Sequence, residues 1–190
     1  MRFVGLVAAA AAMSLGAVTS ASANMITVGG TAMITCTPSC QAIVGGSIVD
    51  TMMGPGGVTG TAGMLSTMSA DRYEFNPDSP EETASALNIL AGTMFTTGDR
   101  DDTLGAGADD AFSFTTAALW IAMKLGNTQI FLFNNSGGDL TIDWDRKGLR
   151  GAGLSNITEF GETVIPVPGA IWLMGAGLAG LGFTRRRKVA

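Results

Sequence analysis

The 190-residue chain has no histidine, two cysteines and one tyrosine, and charged residues make up only 14% of it. Without histidine there is no Ser-His-Asp or Cys-His machinery and no His-ligated zinc or iron site. Two cysteines are too few for an all-thiolate zinc site, and Cys36-x3-Cys40 lacks the surroundings of a thioredoxin-like redox pair. Gly54-Pro55-Gly56-Gly57 lacks the Gly-Lys-Ser/Thr ending with which a P-loop holds phosphate. A two-carboxylate hydrolase is the catalytic option that survives, with Asp143 and Asp145 as candidates. Alternation, however, sets both beside Thr141 on one outward strand face, whereas a glycosidase needs its pair about 5 to 10 Å apart in a cleft. The expectation is therefore that the protein is not an enzyme.

The few charges are unevenly placed. All sixteen acidic residues lie between Asp50 and Glu162, against six basic ones in the same stretch (Arg72, Arg100, Lys124, Arg146, Lys147, Arg150), a net charge of −10. Such a field repels nucleic acid and anionic lipid and favours divalent cations. The chain's beginning is of a different kind. Met1-Arg2 is followed by an apolar, alanine-rich run to Val18, and Ala21 and Ala23 supply small residues at the two positions that signal peptidase reads. A signal peptide is expected over 1–23, leaving Asn24 as the new N-terminus. Residues 24–163 then form an acidic ectodomain of single-domain size.

Its patterning predicts a mainly β, sandwich-like body with one short helix. Met25 to Thr35 and Gln41 to Val49 read as Gly-interrupted β segments joined by Cys36-Thr37-Pro38-Ser39-Cys40. Two cysteines in an exported chain favour a disulfide, here a stapled turn. Asp50 to Ala70, rich in methionine and glycine and without period, reads as a flexible loop or cover. Ser79-Pro80-Glu81-Glu82 is a helix start, with an N-cap, a proline at the first helical position and a capping-box glutamate. Ala84, Leu87 and either Ile89 or Leu90 give that helix its apolar stripe, and Gly92 closes it. Phe112 to Leu125 and Thr128 to Phe133 flank Gly126-Asn127, a two-residue hairpin signal. Both faces are apolar over Ala118 to Met123 and over Ile130 to Phe133, as expected of strands covered on two sides. Leu140, Ile142 and Trp144 alternate with polar residues as in a half-buried strand, and Leu154 to Phe160 is a last strand. Trp120 and Trp144 lie in apolar strands, which favours core packing over stacking on sugars.

A single stretch has metal-like spacing. Asp99, Asp101, Thr103 and Asp110 fall at positions 1, 3, 5 and 12 of an EF-hand loop, but Leu104 stands where that loop needs glycine and Asp110 where it needs glutamate. A solvated acidic loop is the expectation, with Ca2+ as the ion that oxygen-only ligands would suit. No other cofactor is expected.

The C-terminal end carries the most specific signal. Pro166-Val167-Pro168-Gly169-Ala170 leads into an apolar run, and Arg185-Arg186-Arg187-Lys188 ends it, with no charge from Val164 to Thr184. A helix of about 20 apolar residues spans a hydrocarbon core of roughly 30 Å, so a single transmembrane helix is expected over about 168–184. The basic cluster would keep the C-terminus cytoplasmic. The glycines of the run would equally suit the packing face of a plain membrane anchor. In its order of parts, residues 164–190 resemble the PEP-CTERM sorting signal, in its VPLPA-type variant, with Val167 in place of the family's glutamate. More softly, residues 111–161 resemble ectodomains that precede such signals, including Gly153-Leu154-Ser155-Asn156. The resemblance implies export across the inner membrane, transient anchoring, and processing at the Pro166–Ala170 strip by an exosortase-type membrane peptidase. It further implies release or surface display with a structural or adhesive role in exopolysaccharide or biofilm. A calcium-dependent carbohydrate- or surface-binding module is the alternative. Ice binding ranks below both, since the threonines show no regular repeat along the chain.

Overall fold

The fold is built around the hairpin whose strands are apolar on both faces. In the computed structural model, which describes residues 22–50, 57–103, 111–149 and 153–162, β11 (Ala118–Leu125) turns through Gly126 and Asn127 into β12 (Thr128–Asn134). Gly126 takes a positive φ of 60°, which a two-residue hairpin turn requires. Successive strand residues point to opposite faces. Ile121, Met123, Leu125, Ile130 and Leu132 therefore enter one core, while Trp120, Ala122 and Phe131 enter another. Asn134 at the end of β12 is buried and ties the following turn, donating to the Gly138 carbonyl at 2.9 Å and to the Ala118 carbonyl at 3.1 Å.

Two sheets face each other across the first core. The smaller has five strands in the order β10 (Ala111–Thr116), β13 (Leu140–Asp145), β2 (Ala32–Thr37), β1 (Asn24–Val28) and β7 (Ser69–Ala70). The larger runs β6 (Met64–Ser66), β3 (Cys40–Val44), β12, β11, β14 (Leu154–Glu162), β9 (Asp99–Asp101), with β8 (Tyr73–Glu74) also paired to β12. The described part is thus mainly β, as the patterning predicts. The larger sheet's other face is covered by α1 (Pro80–Ala91) and a separate hairpin of β4 (Ser47–Asp50) and β5 (Val58–Thr61). Among the described residues this is the sole helix, and none is long and apolar enough to cross a membrane.

The helix forms where its local signals place it. Ser79 is extended at the N-cap and its hydroxyl accepts from the Glu82 N–H at 3.2 Å. The Glu82 carboxylate reaches back to the Asp78 N–H at 2.7 Å, one residue earlier than the usual capping box. Gly92, at φ 67°, ends the helix and donates to the Asn88 carbonyl at 2.9 Å. Of the two stripe candidates, Leu90 is buried and Ile89 only partly so.

Cys36 and Cys40 are disulfide-bonded with Cα atoms 5.6 Å apart, at the turn where the chain leaves β2 in one sheet and enters β3 in the other. Both lie in the core between the sheets.

The structure corrects several expectations. The stretch from Phe112 to Leu125 is not one strand. It breaks at Ala117, so that β10 joins the smaller sheet and β11 the larger, and the Thr116 hydroxyl accepts from the Ala118 N–H at 2.8 Å across the break. A period-two pattern records which residues are apolar and not which partner each half pairs with. The two N-terminal β segments, by contrast, are interrupted at their glycine pairs as the patterning predicts, after Val28 and after Val44. Within Asp50 to Ala70, the described residues form β5, β6 and β7 rather than a loop. Gly60 and Gly63 serve close approach here. A Cβ on Gly63 would sit 2.5 Å from Ile43 Cγ2, and one on Gly60 would meet the Ser47 carbonyl. Trp120 and Trp144 are core residues, 6% and 2% exposed, and neither offers a ring to a sugar.

Candidate functional site

The larger sheet's β9 edge owes its position to a glycine. A Cβ on Gly98 would lie 2.5 Å from the Phe160 ring and 2.7 Å from Thr158 Cγ2. Glycine there lets the chain lie against β14, and β9 pairs with it antiparallel: Asp99 opposite Glu159, Arg100 opposite Thr158, Asp101 opposite Ile157. Directly opposed residues project from the same face. Asp99 and Glu159 accordingly line one cleft of about 550 Å3, together with Thr97, Thr116, Ala117 and Gly161. A neighbouring hollow of about 410 Å3 shares both carboxylates and adds Asp101, Asp102 and Thr103. Like charges directly opposite one another disfavour the pairing unless something neutralises them. Chemically, the cleft offers anionic acceptors flanked by threonine hydroxyls, a surface for cations or polyhydroxyl groups.

The flanks of the edge are self-paired. Asp101 Oδ1 accepts from the Thr103 N–H at 2.7 Å and from its hydroxyl at 2.6 Å. Arg100 meets Asp102 at 2.7 Å and donates to the Asp78 carbonyl at 3.3 Å. Lys124 donates to the Pro77 carbonyl at 3.1 Å, and burial, followed by the Arg100 charge, lowers its pKa. The Thr97 hydroxyl donates to Glu81 at 3.1 Å, linking the cleft wall to the start of α1. Glu81's pKa is lowered, first by a bond to its own backbone N–H, then by Ser79 and Thr97.

The residues singled out in sequence fall in different places. Asp99 and Asp101 lie in an extended strand instead of winding around a centre, Thr103 follows it, and Asp110 lies outside the described residues. Among the described residues, no group of three or more acidic or cysteine side chains is arranged to hold a metal ion. Asp143 is exposed and Asp145 half-buried on the outward face of β13, the latter 3.7 Å from Lys147. Ala23 is exposed just ahead of β1, whereas Ala21, the Pro166–Ala170 strip and the Arg185–Lys188 cluster lie outside the described residues. Glu159 is not among the residues that the sequence pattern singles out. Its one signal is that it follows Ile157 at strand spacing, an acid placed where the pattern calls for an apolar residue. Comparison with family models, with curated proteins and with solved structures finds no match for this chain.

Proposed function

We propose that the protein is exported, held transiently in the inner membrane by its C-terminal segment, and processed there by an exosortase-type peptidase. Its two-sheet body then serves a structural or adhesive role at the cell surface or in an exopolysaccharide matrix. The observation that carries this reading is the order Pro166-Val167-Pro168, uncharged apolar run, Arg185 to Lys188 at the end of the chain. Proline's fixed φ and missing N–H disfavour helix, which is the physical ground for reading Pro166 and Pro168 as part of a protease target. Two features of the fold support export. The Cys36–Cys40 disulfide suits an oxidising compartment. The first strand begins at Asn24, the residue that signal-peptide removal would expose, and the Asn24 side chain is already engaged, with its Oδ1 accepting from the Cys40 N–H at 2.8 Å. Intact mass spectrometry of the protein from cells and from medium tests the reading. The expected masses begin at Asn24 and end within or before the Pro166–Ala170 strip. Retention through Ala190 would leave a plain membrane anchor.

A second reading, calcium-dependent surface binding, is favoured by the juxtaposition of Asp99 and Glu159 in one cleft. If it holds, millimolar calcium raises the melting temperature, chelator reverses the rise, and Glu159→Gln abolishes it. An equal shift with sodium chloride at matched ionic strength would mean only general screening of the −10 body.

A further inference from the structure

The two edges of the larger sheet are treated differently. At one, β9 carries Asp99, Arg100 and Asp101, the kind of charge that keeps an edge from pairing with another chain. At the other, β6 carries Met64, Leu65 and Ser66, and no charged residue occurs between Asp50 and Asp71. Met64 is 72% exposed and Leu65 44% exposed, two adjacent large apolar residues on one uncharged edge. Met68, in the turn after β6, is 75% exposed. Among the described residues no strand pairs β6 on its outer side.

The ladder register shows what that edge offers. β6 pairs with β3 through Ala42 with Ser66, Ile43 with Leu65 and Val44 with Met64. The Ile43 carbonyl instead accepts from the Asp71 N–H at 3.2 Å, so it faces away from Leu65. Ile43 and Leu65 are then the non-hydrogen-bonded pair of this ladder, and the Leu65 N–H and C=O turn toward the open side. Beside Leu65 lies an apolar recess of about 250 Å3, walled by Ile43, Leu90 and Trp120.

We infer that β6 is a self-association edge, at which a second copy of this chain pairs antiparallel about a two-fold axis at Leu65. The occupant follows from the geometry and the charge. One residue whose donor and acceptor meet no partner among the described residues is satisfied in full by its own symmetry mate, the two Leu65 residues exchanging both N–H to O=C bonds. Each Leu65 side chain then lies next to its mate on the α1 side of the joined sheet, at the mouth of the two recesses. Bodies of net charge −10 repel one another, and the uncharged stretch around β6 allows contact without opposing carboxylates. β9 has no such freedom, because self-pairing there would bring Asp99 and Asp101 toward their own copies.

The test uses the full chain purified in detergent micelles. Sedimentation is compared for the wild type, Leu65→Pro and Leu65→Lys. Proline removes the outward N–H but none of the β3–β6 ladder bonds, and lysine adds an edge charge at an exposed site. The expected result is a reversible dimer whose dissociation constant rises about tenfold or more in either variant, with circular dichroism unchanged and the same melting temperature as wild type at dilutions where all are monomeric. Leu65→Cys adds a check that does not depend on those variants folding. Paired residues of this type have Cα atoms about 5.5 Å apart, within the roughly 4.4 to 6.8 Å of a disulfide, and both native cysteines are already bonded to each other. Mild oxidation should therefore cross-link Leu65→Cys far faster than Met94→Cys, at a residue that is 93% exposed and away from the edge. A wild-type monomer at all concentrations, a dimer that persists in the edge variants through another surface, or equal cross-linking at the two positions would each overturn the inference.

Discussion

Tyr73 shows how one side chain can report on the fold. It is the chain's single tyrosine, packs at 5.9 Å from the Phe131 ring, and donates its hydroxyl proton to the Gly45 carbonyl at 2.6 Å. Burial first, and the Asp71 carboxylate second, push its pKa from 10.0 up to about 12. A folded-state pKa raised above the unfolded value favours the protonated form in the native state. The stability it contributes is fully present below pH 10 and lost as pH rises toward about 12. An ultraviolet absorbance titration of the native protein should place the tyrosinate transition near the upper value, and urea-unfolded protein near the lower. A native midpoint at the ordinary phenol value would contradict the buried placement. At this scale the sequence was only partly legible. Trp144 was readable as a core residue, but not as one whose buried indole N–H meets no acceptor among the described residues. Gln129, 1% exposed in the middle of an apolar hairpin, carries no sequence signal for its burial at all.

Among the elements, the connection from β2 to β3 carries a prediction of its own. Five residues, Cys36 to Cys40, move the chain from the smaller sheet to the larger, and the disulfide closes that turn within the shared core. Chain-entropy reasoning for so short a loop gives a stabilisation of about 2 kcal/mol. The double variant Cys36→Ala/Cys40→Ala should lower the urea midpoint by a corresponding amount while leaving the denaturant slope unchanged. An unchanged midpoint would mean that the turn holds its geometry without the bond. Elements whose signals are local were fully legible. The helix start at Ser79 and its stop at Gly92 depend on residues within one turn of each end. The break at Ala117 and the strands hidden in Asp50 to Ala70 were not legible, because strand pairing satisfies backbone groups with partners far along the chain. Gly60 and Gly63, which look like flexibility in a sequence, are close-approach positions in the fold.

For the molecule as a whole, the three-layer arrangement follows from apolar faces that each need a cover: the smaller sheet on one side of the β11–β12 hairpin, and α1 with the β4–β5 hairpin on the other. Its electrostatic character follows from acidic residues confined to the middle of the chain. The β9 cleft and the β6 edge have a different origin. Glu159 stands 60 residues beyond Asp99, and only the β9–β14 register brings the two carboxylates together. Likewise Leu65 is unpaired on its outer side among the described residues because Ile43 takes its hydrogen bond from Asp71 and not from β6. By itself, then, the sequence determined the mainly β class, the helix and its caps, the doubly covered hairpin and the acidic field, all of which are set by composition and by spacing within a few residues. Which strands became neighbours, and so where carboxylates face a common cleft and where an uncharged edge is left open, was decided by the tertiary structure alone, because pairing between distant segments leaves no period in the chain.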